Sequence, residues 1–123
     1  MKLINQECDK SCVVACIAMV TGRTFDEISK MAYKVPVSEA DQDQILITLG
    51  FKFLRYLYPN LQTEKLYIVA VPSLNHVGGM HVVVIDTQGK LEVYDPQRGR
   101  CGQVFYTADT LKSWATVTEI ETD

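Results

Sequence analysis

The sequence predicts an α+β domain with helices first and an antiparallel sheet after them. Three observations carry that expectation. An unbroken apolar stretch, 13–20, stops at Thr21-Gly22. Two later segments open on a hydroxyl residue followed by acidic residues, at Thr24 and at Ser38. Beyond Gly50 the chain changes to short aromatic and β-branched runs broken by proline, glycine and aspartate.

Each element follows from local chemistry. Stretch 13–20 is helix-compatible, and Gly22 is a natural residue for a left-handed helix stop. Thr24-Phe25-Asp26-Glu27 has the capping-box pattern, with Thr24 as N-cap and Glu27 three residues on. That helix should end near Ala32 or Lys34, before Val35-Pro36. Ser38 caps a third helix, Glu39 and Asp41 complement its dipole, and Gly50 ends it. Ile45, Leu46 and Leu49 supply its apolar face. Strands are expected at 51–58, at 66–71 before Pro72, and at 81–85 between Gly78-Gly79 and the turn Asp86-Thr87-Gln88-Gly89. A strand at 91–94 follows that turn at hairpin distance and runs into Asp95-Pro96. Thr107 is expected to cap a short helix through Trp114, and 117–120 to form a closing strand.

With 123 residues the chain is read as one domain, 1–123. A hydrophobic fraction of 47% with 22% charged residues excludes whole-chain disorder. Twelve basic against fifteen acidic side chains give a net charge of −3, which argues against nucleic acid or an anionic membrane as the main partner. The run 13–20 is far shorter than the roughly 20 residues of a membrane span, and no signal-peptide core follows Lys2. The expectation is a cytoplasmic protein with reduced cysteines. Cys8, Cys12 and Cys16 lie four apart, Cys101 is remote, and neither His76 nor His81 is near them in sequence. That spacing suits a zinc site poorly, so no metal or other cofactor is expected.

Four residues invite a chemical reading. Cys12 stands at the junction between the polar run Asp9-Lys10-Ser11 and the apolar helix, where free N–H groups and the dipole favour a thiolate. Cys16, one turn deeper, reads as a small buried hydrophobe. His81 opens a strand behind two glycines, whereas His76 lies in a loop. If 81–85 and 91–94 pair as a hairpin, Asp95 returns beside His81, where a carboxylate can accept an imidazole N–H. Gln6, six residues before Cys12, carries an amide that could donate to an oxyanion. Each residue taken alone has a bland alternative: a core histidine, an Asp-Pro turn, a surface glutamine.

Taken together, the order Gln, Cys, His, Asp resembles that of papain-like cysteine peptidases. The nearer resemblance is to the double-glycine leader peptidases, which trim bacteriocin leader peptides. Their first motif is similar to Gln6-Glu7-Cys8-Asp9-Lys10-Ser11-Cys12-Val13-Val14-Ala15-Cys16-Ile17-Ala18-Met19. Their second and third motifs resemble His81-Val82-Val83-Val84-Ile85 and Asp95-Pro96-Gln97-Arg98-Gly99. The resemblance implies a papain-like fold with the cysteine at a helix N-terminus. It implies Cys12 as nucleophile, His81 as base, Asp95 as its orienting carboxylate, and Gln6 with the Cys12 N–H as oxyanion hole. It also implies a peptide or protein substrate, with cleavage after Gly-Gly as the family's pattern. The family has aspartate before the cysteine and glycine after it; this chain has Ser11 and Val13.

Two further classes stay open at this level. A silent papain-like module could bind a partner protein. A deamidase or isopeptidase effector of phage or mobile-element origin could use the same acyl-thioester chemistry. The chain's own Gly78-Gly79 is read as the flexible approach to the His81 strand. Tyr94, Phe105, Tyr106 and Trp114 are read as core, and Lys90, Arg98 and Arg100 as a solvated loop.

Overall fold

Helix α1 (Cys12–Thr21) is buried on all sides from Cys12 to Val20, as an all-apolar helix must be. It stops where Gly22 turns left-handed at φ 71°, and the Arg23 N–H closes back on the Ala18 carbonyl at 3.2 Å. The structure is a computed structural model that describes residues 1–7, 10–32, 34–56, 61–99, 103–110 and 116–121. Helix α2 (Phe25–Met31) opens on the expected capping box: Thr24 Oγ1 accepts the Glu27 N–H, and Glu27 reaches back to the Thr24 N–H. Helix α3 (Glu39–Thr48) is capped by Ser38, whose Oγ accepts the Asp41 N–H at 3.2 Å. Ile45 and Leu46 are buried, Leu49 packs against the same core, and Gly50 follows at φ 85°.

Five strands form one antiparallel sheet: β1 (Phe53–Tyr56), β2 (Leu66–Pro72), β3 (Met80–Asp86), β4 (Glu92–Tyr94) and β5 (Val117–Ile120). Their order is β1-β5-β2-β3-β4. The hairpin expected from the turn at 86–89 is present, with Val84 opposite Tyr94 and Asp86 opposite Glu92. The expected strand at 51–58 is described only as Phe53–Tyr56, and its last residues lie outside the described residues. The main departure is the place of β5. It does not close an edge but lies between β1 and β2, with Ile120 opposite both Phe53 and Leu66.

All four β5 residues are buried, including Thr118 and Glu119. Thr118 Oγ1 takes hydrogen bonds from Gln42 Nε2 and Arg55 Nη2, and Arg55 also grips Asp43 of α3 through two nitrogens. That network lets a polar strand lie under a helix without stranding its hydroxyl.

The sheet separates two apolar clusters by strand alternation. Ile68, Val84 and Ile120 pack with α1 on one face; Tyr67, Val69, Val83, Ile85 and Val117 form the other with Tyr106. The helix expected from Thr107 begins instead as a turn, in which the Thr110 N–H donates to the Thr107 carbonyl and Thr110 Oγ1 accepts the Thr107 N–H. Its remainder, Trp114 included, lies outside the described residues. Among the described residues no helix is long and apolar enough to cross a membrane.

Candidate active site

The alignment of α1 on β3 decides what meets what. Cys16 donates its thiol to the Val82 carbonyl at 3.4 Å. One helical turn back, about 5.4 Å, is Cys12; one strand residue back is His81. The Cys12 thiol is accordingly within hydrogen-bonding reach of the His81 ring. Cys12 is the first residue of α1, next to the helix's unpaired N–H groups. Ser11, at the cap position, does not cap the helix with its side chain; its Oγ accepts the Glu7 N–H at 3.0 Å.

His81 is held in β3 opposite Val71 and is 3% exposed. Its Nε2 lies 2.6 Å from Asp95 Oδ1, which leaves Nδ1 as the ring nitrogen for Cys12. Burial alone would lower the His81 pKa. Hydrogen bonds and charge from Asp95 and Cys12 outweigh it and raise the value from the ordinary 6.5 to about 9.

Asp95 is fully buried, and three donors face its carboxylate. Oδ1 accepts from His81 and from the Gln97 N–H at 2.9 Å, and Oδ2 accepts the Tyr106 N–H at 2.7 Å. The Asp-Pro turn seen in the sequence is real, since the Arg98 N–H closes on the Asp95 carbonyl at 2.9 Å. The turn and the carboxylate–histidine pair therefore coexist. Tyr106 extends the frame: its hydroxyl donates to the Pro72 carbonyl at 2.6 Å, in the strand that pairs with β3.

Gln6 is 3% exposed, and its N–H donates to the Pro96 carbonyl at 2.9 Å. The amino-terminal segment thus lies along the Asp95-Pro96 turn. Gly99 serves the same contact. It adopts φ 90°, and a Cβ there would stand 3.5 Å from Asn5 Nδ2.

All four sequence-predicted residues are brought to one region. His76 is exposed in the loop before β3, with its N–H on Ser73 Oγ. Gly78, at φ 77°, makes the tight turn that delivers the chain into β3. Cys8, Cys101 and Arg100 lie outside the described residues. Cys16 is buried, and burial, with Cys12 and Asp95 nearby, pushes its thiol pKa well above the ordinary range. Tyr106 belongs to the second core cluster as expected, and Arg98 lies 5.6 Å from the Phe105 ring centre.

Three supporting residues escape sequence reading. Gln97 and Tyr106 act through main-chain N–H groups, which carry no residue signature. Asn75 donates to Gln97 Oε1 and to the Val104 carbonyl and accepts the Val104 N–H, tying the loop before β3 to the Asp95 turn. Among the described residues no three His, Cys, Asp or Glu side chains gather as a metal centre.

The fold is papain-like: a helix headed by cysteine lies against an antiparallel sheet that carries the histidine and the carboxylate. Two solved structures share it over essentially the whole chain. One is the peptidase domain of Streptococcus ComA, a bifunctional ABC transporter involved in a quorum-sensing pathway. The TM-score is 0.69 with 13% identity, covering 99% of this chain and 98% of that one. The other is the peptidase domain of Streptococcus mutans ComA in complex with a small-molecule inhibitor. There the TM-score is 0.56 with 14% identity, covering 99% of this chain and 100% of that one. No family model and no curated protein matches the sequence.

Proposed function

We propose that this chain is a cysteine peptidase that cleaves a peptide or protein substrate through an acyl-thioester on Cys12. The observation that carries the reading is the buried Asp95–His81 contact of 2.6 Å, with Cys12 at the start of α1 close enough to the same imidazole to raise its pKa. Asp95 accepts from Nε2, so the ring is oriented with Nδ1 toward sulfur. A histidine with a pKa near 9 is protonated at neutral pH, which favours a thiolate–imidazolium pair.

The thiolate attacks the substrate carbonyl carbon and forms a C–S bond. The negative charge moves to the carbonyl oxygen, and the Cys12 N–H and the Gln6 amide are its donors in this reading. On collapse the C–N bond breaks, and imidazolium gives its proton to the leaving amine. Neutral His81 then takes a proton from water, which hydrolyses the thioester and restores the thiol pair. Asp95 stabilises the imidazolium in both halves and is not itself protonated.

The similarity of residues 6–19 to the double-glycine leader peptidases makes Gly-Gly peptides the first to try. The test of the chemistry is limiting iodoacetamide near neutral pH on wild type and His81→Ala, read by intact mass and peptide mapping. Fast single labelling at Cys12, slowed at least about tenfold in the mutant, is the expected result. Slow labelling spread over Cys8 and Cys101 and indifferent to His81 would refute it.

A further inference from the structure

The hairpin loop 73–79 joins β2 to β3 and so delivers His81 to the site. The Ser73 N–H closes it on the Gly79 carbonyl at 2.9 Å, and Ser73 Oγ accepts the Asn75 and His76 N–H groups at 3.2 and 3.0 Å. From this held loop the Asn75 amide makes three bonds to residues far along the chain. Oδ1 accepts the Val104 N–H at 3.0 Å, and Nδ2 donates to the Val104 carbonyl at 2.8 Å and to Gln97 Oε1 at 2.9 Å. Both donors of the amide are thereby in use.

Segment 103–106 depends on that hold. Among the described residues its main chain pairs with no strand and with no other main-chain group. Its main-chain partners are two side chains, Asn75 on Val104 and Asp95 on the Tyr106 N–H. The other main-chain donor to Asp95 belongs to Gln97, whose side chain Asn75 also holds. Each main-chain N–H on the Asp95 carboxylate therefore lies on, or two residues from, a residue that Asn75 grips.

We infer that Asn75 is a positioning residue for the proposed reaction, one that sets the orientation of Asp95 toward His81 by holding both main-chain donors on that carboxylate. The inference deepens the peptidase reading and rests on it for the use to which the pair is put. Its physical basis is that a buried carboxylate must keep its donors. With the Tyr106 N–H on Oδ2 and the Gln97 N–H on Oδ1, the satisfied orientation is the one that puts Oδ1 2.6 Å from His81 Nε2. Once Asn75 lets go, 103–106 carries the Tyr106 N–H away and the carboxylate turns off the imidazole. The charged groups that face His81 are Asp95 and Cys12, so this removes one of the two that raise its pKa.

The test uses the full chain and imidazole NMR titration, in which His76 gives the only other histidine signal. In Asn75→Ala the His81 midpoint should fall from about 9 by at least about one pH unit, a tenfold change in its protonation equilibrium. Asn75→Ser is too short to reach Gln97 and Val104 together. It should move the midpoint the same way, and it decides the matter if the alanine variant misfolds. Tyr106→Phe is the control. It loosens the same segment at its Pro72 bond but leaves Asn75 and the Tyr106 N–H in place, so the midpoint should stay near wild type. A folded Asn75 variant whose His81 titrates as in wild type, or an equal shift in Tyr106→Phe, overturns the inference, because Asn75 is then only a loop anchor. The iodoacetamide experiment reads the cysteine chemistry separately. A shifted midpoint with His81-indifferent labelling refutes the peptidase reading alone. His81-dependent labelling with an unshifted midpoint refutes the positioning role alone.

Discussion

Asp95→Asn is the sharpest perturbation, because the change is nearly isosteric and every partner of the carboxylate is a donor. In the wild type His81 Nε2–H and the Gln97 N–H meet Oδ1, and the Tyr106 N–H meets Oδ2. An asparagine offers one acceptor oxygen and one NH2. Whichever way it turns, the NH2 faces a buried donor. Loss of the charge-assisted bond contributes about 1.5–3 kcal/mol, and the opposed donor about 1–3 kcal/mol. The expected destabilisation at pH 6 is about 3–5 kcal/mol, in the range for breaking a buried ion pair. The pH dependence is the more specific signature. The folded-state pKa of His81, about 9, is raised above its unfolded value of 6.5. Its contribution, about 3 kcal/mol, is therefore fully present below pH 6.5 and is lost as pH rises through 9. In Asp95→Asn one of the two raising partners is gone, leaving Cys12 alone against burial, and His81 loses most of that advantage. The stability gap between wild type and variant should be widest below pH 6.5 and narrow steadily toward pH 9. Urea unfolding across that range, with an imidazole NMR titration, reads both quantities. A gap that does not change with pH, or a variant in which His81 still titrates near 9, would refute the reasoning.

Other expectations are local. Thr24→Ala removes the Thr24 Oγ1 acceptor of the α2 capping box, leaving its backbone N–H bond to Glu27, and should lower stability by about 1 kcal/mol in urea unfolding. Gly22→Ala should destabilise by about 1 kcal/mol through its φ of 71° alone, since a Cβ there meets nothing within 4 Å. Gly89, with equal space and no positive φ, is the control, and its alanine variant should be close to neutral. Tyr106→Phe removes the hydroxyl bond to Pro72 and should destabilise by about 1 kcal/mol. Its His81 titration should stay near wild type, because the Tyr106 main chain, not its phenol, holds Asp95.

The local grammar of the chain determined much of this protein by itself. The three helices, their caps at Thr24 and Ser38, the stop at Gly22 and the hairpin into Asp95 all depend on residues within a few positions of one another. Short-range sterics and hydrogen bonding suffice for such features, so they can be read in order along the sequence. Cys12, His81 and Asp95 were legible as candidates for the same reason, each standing at an element boundary. What tertiary structure alone decided is where those boundaries meet. Insertion of β5 between β1 and β2 pairs it with β1 residues more than sixty positions away and with β2 residues about fifty away, and no periodicity encodes it. The clamps on Asp95 come from the main chain of Gln97 and Tyr106, groups that every non-proline residue carries alike. Gln6 is placed by a main-chain bond to Pro96, and Asn75 reaches Val104 across 29 positions of sequence. Side-chain identity writes the local elements, whereas long-range backbone pairing and interlayer packing depend on the whole folded chain at once.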